Sequence, residues 1–197
     1  MDPTPELIDR VLNGDGRAFE QLYNLTIRNV YRILYFLCGA DRGDVEDIVQ
    51  NVYLELYRCL SNYNRCSSFT AWLSGITVRQ QQAYKRQKWK ERRRRERLCS
   101  VRDTDRIIAA DGASHSPAEE IKEQLDLLSD KLRQVIVLHY LSDLTQQEVA
   151  DLLGIPVGTV KSRINLALRQ LRELGRRDTD AQPGRADPVH TRQSSRH

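Results

Sequence analysis

The chain of 197 residues is 40% hydrophobic and 29% charged, a balance typical of a globular protein rather than a disordered or fibrous one. Its net charge of +4 permits a polyanionic partner without requiring one. Whether the protein binds a polyanion must therefore be judged from where the basic residues cluster. No apolar run approaches the roughly 20 residues that span a bilayer, and residues 1–6 lack the features of a signal peptide. We therefore expect a cytoplasmic protein without membrane insertion.

The four cysteines show no metal-binding pattern. Cys38, Cys59, Cys66 and Cys99 are irregularly spaced, with neither a CxxC pair nor a histidine at ligand spacing. This spacing predicts reduced thiols, no metal site and no cofactor. The sequence also lacks the nucleophile or metal arrangement that an enzyme acting on nucleic acid would need, so we predict that the protein is not an enzyme.

Two helices are predicted in the first forty residues. Thr4 followed by Pro5 is typical of a helix start, because threonine caps the first amides and proline suits the first helical position. The turn signal at 13–16 ends this short helix. Apolar residues at spacings of three, four and seven over 19–37 predict a second helix that is long and amphipathic.

Two more helices complete the first half of the chain. Asp44 is placed to cap a third helix, whose apolar face runs over 45–56. A polar loop at 61–67 follows, and an apolar stripe from 69 to 84 predicts a fourth helix. Residues 85–97 then hold nine basic and two acidic residues, and such a basic stripe attracts phosphates irrespective of sequence. Taken alone, the same stripe is equally compatible with a solvated helix end.

A break in the middle of the chain predicts two domains. Residues 98–115 are polar and without periodicity, as in a flexible linker. Residues 175–197 are poor in large apolar side chains and rich in breakers, so a disordered tail is expected there. The predicted domains are therefore residues 1–97 and residues 116–174.

The second domain shows the pattern of a helix-turn-helix. Ser116 begins the first of four predicted helices, and a capping box at 145–148 begins the third. Gly154 can supply the left-handed turn residue, while Val160 and Ile164 face the core of the following helix. Lys161, Ser162 and Asn165 then point outward together, where a recognition helix meets base edges and phosphates. On spacing alone, a helical hairpin with a solvated charged face is the alternative.

The segment 154–163, with 128–133 and 148–150 before it, resembles the promoter-reading fourth region of extracytoplasmic-function sigma factors. The family often has proline where Ser129 stands and arginine where Leu166 stands. The resemblance and the outward positions together indicate the residues that contact the upstream, or −35, promoter element as duplex. These are Thr159, Lys161, Ser162, Arg163, Asn165 and Arg169.

The third helix resembles part of the second region of the same family. That helix docks on the clamp helices of the largest polymerase subunit, which assigns core-polymerase binding to its outer polar residues. The expected contacts are Asp44, Glu46, Asp47, Gln50 and Asn51. Acids at the start of a helix otherwise complement its dipole, and no further catalytic group accompanies these.

Residues 63–73 resemble the loop and helix with which the family melts the −10 element. Phe69, Trp72 and Leu73 stand at helical spacing and are interpreted as core rather than as a stacking platform for bases. Polar loop residues and the basic helix beside them suit melted DNA better. The expected −10 contacts are Asn64, Arg65, Ser67, Arg79, Lys85 and Arg86; many relatives have asparagine where Arg79 stands.

Together, these features predict an all-α protein with a region 2-like and a region 4-like domain. The resemblance implies a transcription initiation factor that binds core RNA polymerase, at the clamp helices and the flap region, and directs it to promoter DNA. It also implies an anti-sigma factor as a partner. The alternative is an autonomous helix-turn-helix regulator, which would bind promoter duplex without polymerase.

Overall fold

The computed structural model describes residues 2–38, 44–98 and 117–180, and the regular structure within these ranges is helical. In chain order the helices are α1 (Pro5–Leu12), α2 (Gly16–Leu37), α3 (Val45–Cys59), α4 (Phe69–Leu98), α5 (Pro117–Asp126), α6 (Asp130–Ile136), α7 (Gln146–Leu153) and α8 (Val157–Asp180). A 3-10 turn, Leu60–Asn62, follows α3, and a π-helical turn, Val137–Leu141, continues α6. The predicted all-α fold class is confirmed. No helix in the described ranges is long and apolar enough to cross a membrane.

Several helix boundaries follow directly from capping residues. The Thr4 side chain accepts a hydrogen bond from the Leu7 amide at 3.3 Å, as predicted for the start of α1. Thr145 and Glu148 form the predicted capping box at the start of α7. Gly154 ends α7 in the left-handed conformation, with φ of 64°, which is the turn that the helix-turn-helix pattern requires. Ser116, the predicted cap of α5, lies outside the described residues.

The predicted cap of α3 is wrong. Asp44 stands at the N-cap position, but its carboxylate accepts no hydrogen bond from the helix backbone. Its backbone is helical, with φ of −100° and ψ of −3°, whereas capping requires an extended residue that turns its side chain toward the first amides. The carboxylate instead lies 2.6 Å from Lys88 Nζ on α4.

Helices α1 to α4, with the 3-10 turn, enclose one apolar core. Its buried members are Leu7, Ile8, Val11, Ala18, Leu22, Val30, Leu34, Ile48, Val49, Val52, Tyr53, Leu56, Leu60, Phe69, Leu73 and Ile76. Phe69 and Leu73 are each only 1% exposed, which confirms their interpretation as core, and Trp72 packs against them while partly exposed. Tyr53 places its hydroxyl 2.9 Å from that of Thr26, so the polar end of this buried ring is satisfied.

Helices α5 to α8 surround a second core, in which one buried arginine joins two helices. Arg133 of α6 is 8% exposed. Its Nε donates to the carbonyl oxygen of Leu125 at 2.9 Å, and its Nη2 donates to those of Asp126 at 2.9 Å and Leu128 at 3.3 Å. The Leu125 carbonyl also accepts from the Leu128 amide at 3.1 Å, so Arg133 chiefly supplies donors to the carbonyls of Asp126 and Leu128 at the end of α5.

The two sets of helices pack against each other, which the sequence did not predict. Apolar side chains of α2 and α4 belong to the same buried cluster as the core of α5 to α8. They are Ile33, Phe36, Leu37, Ala71 and Val78. The second domain therefore covers one side of α2 and α4 and keeps these five residues from water.

Polar contacts and one glycine complete this interface. Lys85 Nζ of α4 lies 2.5 Å from Asp130 Oδ2 of α6. Ser68 Oγ donates to a carboxylate oxygen of Glu148 on α7 at 3.1 Å. A Cβ at Gly75 would lie 3.6 Å from Cγ of Leu152, so α4 and α7 approach closely at this position.

The carboxyl-terminal helix is longer than predicted. Residues 175–197 were expected to form a disordered tail, but α8 continues to Asp180. Gly175 costs a helix about 1 kcal/mol but does not end this one, because extending an existing helix adds a hydrogen bond for each residue fixed and requires no new nucleus. The remainder of the predicted tail and the predicted linker after Leu98 lie outside the described residues.

Candidate nucleic-acid and protein interfaces

The recognition helix α8 presents the predicted polar residues outward. Its inner stripe is buried, with Val160 and Ala167 fully buried and Ile164 4% exposed. This stripe packs on α6 and α7 and fixes the rotation of the helix about its axis. The predicted contacts that are exposed are Lys161, Ser162, Asn165 and Arg169; Thr159 and Arg163 are half-buried at one edge. The prediction that Lys161, Ser162 and Asn165 point outward is therefore confirmed.

The outer face of α3 carries four of the five residues predicted to bind polymerase. Glu46, Asp47, Gln50 and Asn51 are exposed, while Ile48 is buried against the core, so the helix shows opposite polar and apolar sides. Asp44, the fifth, is instead engaged with α4. Its contact with Lys88, together with a hydrogen bond from Tyr84, holds the pKa of this carboxyl below its usual range. Only 22% of the Asp44 side chain is exposed, so it fastens α3 to α4.

An apolar groove that the sequence did not predict continues this acidic face. Leu54 is 56% exposed and Tyr57 63% exposed, although both are large and apolar. With Phe19 and Tyr23 of α2 and Gln50, they line a groove of about 550 Å³. The sequence did indicate that Leu54 is on the outer side of α3. Leu54 follows Asp47 by seven residues, which is two helical turns, and so shares its side of the helix.

The predicted −10 loop is fixed by contacts within itself and with α1. Tyr63 donates from its hydroxyl to the Ser67 carbonyl at 2.7 Å, and Asn64 Oδ1 accepts from the Cys66 amide at 3.1 Å. Arg65, with φ of 59°, forms an ion pair with Asp9 of α1. The side chains of Asn64, Arg65 and Ser67 are exposed, so the loop presents polar groups on a supported backbone.

The basic residues of α4 divide between open solvent and the cleft between the domains. Arg79, Lys85 and Arg86 are exposed. However, Lys85 pairs with Asp130 of the second domain, and Arg86 lines a cleft of about 310 Å³ that Asp130 also lines. Farther along, the guanidinium of Arg93 stacks 4.1 Å from the centre of the Trp89 ring. The structure therefore brings the loop and α4 together in one domain, but the second domain occupies part of their surface.

One sigma-factor family model matches the first half of the chain, and another matches the second half. A model described as Sigma-70 region 2 matches residues 22–91, and one described as Sigma-70, region 4 matches residues 118–171. The ECF RNA polymerase sigma factor SigK of Mycobacterium ulcerans (strain Agy99) is 31% identical over 176 residues, which cover 87% of this chain and 92% of the relative. The chain belongs to the ECF RNA polymerase sigma factors.

Other sigma factors are also similar to this one over most of its length. The ECF RNA polymerase sigma-E factor of Escherichia coli (strain K12) is 30% identical over 175 residues, covering 80% of this chain and 86% of the relative. The solved structure of CnrH in complex with the cytosolic domain of CnrY aligns with a TM-score of 0.64 and 25% identity, covering 87% of this chain and 96% of that chain. A second solved structure is the sigma factor RpoE in complex with the anti-sigma factor NepR from Bartonella quintana. It aligns with a TM-score of 0.62 and 23% identity, covering 81% of this chain and 98% of that chain, and it supports the fold.

The matched ranges correspond to the two packed domains. The region 2 model extends from α2 into α4 and includes the acidic face of α3 and the loop after it. The region 4 model extends from α5 into α8 and includes the whole helix-turn-helix. The sigma factor family is one of regulatory, non-catalytic proteins that act in transcription initiation through RNA polymerase. In the described part of this chain, no group of histidine, cysteine and carboxylate side chains is placed to hold a metal ion.

Leu166 lies on α8 beside the predicted contacts but was not among them. It follows Ser162 by one helical turn and is 36% exposed. The predicted contacts on this face are all polar, whereas Leu166 is apolar. The signal for it was its position, which the resemblance had already marked as one that is often arginine in the family.

Proposed function

We propose that this sigma factor binds core RNA polymerase and directs it to specific promoters, reading the −35 element as duplex and the −10 element as melted DNA. The observation that carries the proposal is the presence, in one chain, of two surfaces of opposite character. One is the basic and polar outer face of α8, and the other is the acidic and amide face of α3. The first suits DNA and the second suits a basic protein surface.

Contact with the −35 element is assigned to the start of α8. A helix that follows a tight turn presents its first turns to the major groove, and here the turn is made by Gly154. Lys161 and Asn165 are nearest the base edges in this arrangement. Arg169, farther along the same side, is placed for the phosphate backbone, where a cation contributes affinity without sequence information.

Contact with the −10 element is assigned to the loop after α3 and to α4. Melted bases are held by polar groups and stacking rather than by a duplex groove. The exposed side chains of Asn64, Arg65 and Ser67 supply such groups on a loop whose backbone is held in place. Arg79, Lys85 and Arg86 supply the positive charge that attracts the displaced strand.

Binding to core polymerase is assigned to the face of α3 and the groove beside it. Asp47 and Gln50 supply charge and hydrogen bonding, while Leu54 and Tyr57 supply apolar area. Protein interfaces commonly combine an apolar, aromatic centre with a polar rim. The clamp helices of the largest subunit are the proposed partner here, and the flap region is the proposed partner of the second domain.

Reading both elements at once requires the domains to separate. The positions −35 and −10 are about 25 base pairs apart. At 3.4 Å per base pair, this separation is about 85 Å along B-form DNA. In the structure the two domains share a buried cluster. Residues 99–116 span at most about 65 Å when extended, which with the width of the domains is enough to reach both elements.

An anti-sigma factor is a further proposed partner. The two solved structures to which this chain is similar are titled as complexes, one with the cytosolic domain of CnrY and one with the anti-sigma factor NepR. A protein that holds the two domains together would prevent the separation that promoter reading requires.

The proposal is tested by run-off transcription from genomic fragments with purified core polymerase and the full chain, beside Asp47→Lys and Glu120→Lys. Both acids lie in the first turn of a helix, so the two reversals disturb the helix dipole alike. Asp47→Lys should weaken core binding by roughly tenfold and reduce transcription, because reversing a charge opposite a basic surface costs affinity. Glu120→Lys should match the parent.

Two results would contradict the proposal. If Asp47→Lys and the parent bind core polymerase with the same affinity, then the acidic face of α3 is not part of the polymerase interface. Tight, sequence-specific binding of promoter duplex by the chain alone, with no change on adding core, would favour an autonomous regulator.

A further inference from the structure

The first turns of α8 carry two adjacent stripes of residues on the side that faces away from the core. One is made of Lys161, Asn165 and Arg169, each four residues after the last. The other begins at Thr159 and continues at the third, fourth and seventh residues after it, which is the spacing of a single helical face. Its members are Thr159, Ser162, Arg163 and Leu166. The first three were all predicted to contact DNA, and the fourth is a leucine.

Leu166 is unusual on this helix because of where it points. Among the side chains of α8 that the structure describes, it is the only large apolar one that is exposed. The neighbouring Ala167 is fully buried, so the core fixes the rotation that turns Leu166 outward. An exposed leucine alone is ordinary on protein surfaces, but this one lies within the proposed DNA-contacting face.

A leucine in the major groove discriminates between bases by what it excludes. It forms no hydrogen bond, so where it displaces water from polar base edges, those edges lose partners. The apolar feature of the groove is the C5-methyl group of thymine, which a leucine covers without that loss. The Ser162 hydroxyl on the same stripe donates to the Thr159 carbonyl at 3.0 Å, which already engages that donor within the helix.

From this geometry we infer that Leu166 selects thymine at one position of the −35 element by packing against its C5-methyl group. The inference rests on the proposed reading of that element by α8 and adds a specificity-determining residue to it. Removing the methyl group removes apolar area comparable to one CH₂, which corresponds to about fourfold in affinity.

The test uses the full chain assembled with core polymerase. The preferred −35 sequence is first selected from promoter fragments in which that element is randomised. Each thymine is then replaced singly by deoxyuridine, which lacks only the methyl group, and the dissociation constant is measured at one fixed salt concentration. The variants are Leu166→Ala and Leu166→Gln. The control is Leu127→Ala, a leucine that is 66% exposed outside α8.

One deoxyuridine substitution should weaken binding by the parent and by Leu127→Ala about fourfold. For Leu166→Ala and Leu166→Gln, the same deoxyuridine substitution should leave the dissociation constant unchanged. The inference is overturned if no thymine shows the penalty with the parent, or if the Leu166 variants keep it. If the parent selects no −35 sequence at all, the proposed function fails and the inference fails with it; a preserved selection with an unchanged penalty overturns the inference alone.

Discussion

Replacing Arg133 with methionine should destabilise the second domain more than any exposed substitution in the same helix. The guanidinium donates to three carbonyl oxygens, and its Nη1 lies 2.9 Å from Asp126 Oδ1. Methionine fills similar apolar space but takes the donor away from the carbonyl oxygens of Asp126 and Leu128, while the Leu125 carbonyl keeps the Leu128 amide. Breaking a buried charge pair by removing one partner costs about 3–5 kcal/mol. Lys122, 2.7 Å from the other oxygen of Asp126, retains part of the pairing, so we expect about 3 kcal/mol.

Urea denaturation followed by circular dichroism measures this loss as a change in the free energy of unfolding. Lys131→Met is the matched control, because Lys131 is a long basic residue in the same helix but is exposed. Its effect should stay within about 0.5 kcal/mol. A loss below about 1 kcal/mol for Arg133→Met, or a loss equal to that of the control, would show that Arg133 does not hold α5 to α6 as described.

Two further substitutions test the contacts of α4. Asp44→Asn should lower the free energy of unfolding by about 0.5–1 kcal/mol at pH 7. The difference should shrink as the pH falls through the lowered pKa of Asp44, because protonation then breaks the pair with Lys88 in the parent as well; a difference independent of pH would contradict this. Gly75→Phe should wedge against Leu152 and raise the radius of gyration from about 16 Å toward about 24 Å, whereas Gly75→Ala should not. Small-angle scattering distinguishes these outcomes, and equal radii for both variants would mean that the domains do not meet at Gly75.

The helix-turn-helix was predictable because its signals are local. A capping box starts α7, a glycine with positive φ ends it, and Val160 and Ile164 recur at the helical period. Each of these depends on residues within about one or two turns, so the sequence alone fixes which side of α8 faces the core. The same reasoning placed Glu46, Asp47, Gln50 and Asn51 on the outside of α3.

Residues whose partners lie far along the chain were not predictable in this way. Asp44 has the residue type and position of a cap, but a lysine 44 positions later takes its carboxylate. Lys85 has the character of a DNA contact, but Asp130 of the other domain lies against it. Choosing among such partners requires knowing which helices are adjacent, and periodicity does not contain that information.

The sequence by itself determined the helices, the caps of α1 and α7, the inner faces of the helices and, through resemblance, the sigma factor family. Only the tertiary structure decided that the two domains pack together and that a groove lies beside α3. The physical reason is that a helical pattern shows which side of an element avoids water but not what covers it. Val78 of α4 is equally apolar whether α3 or the second domain buries it, and in this protein the second domain does.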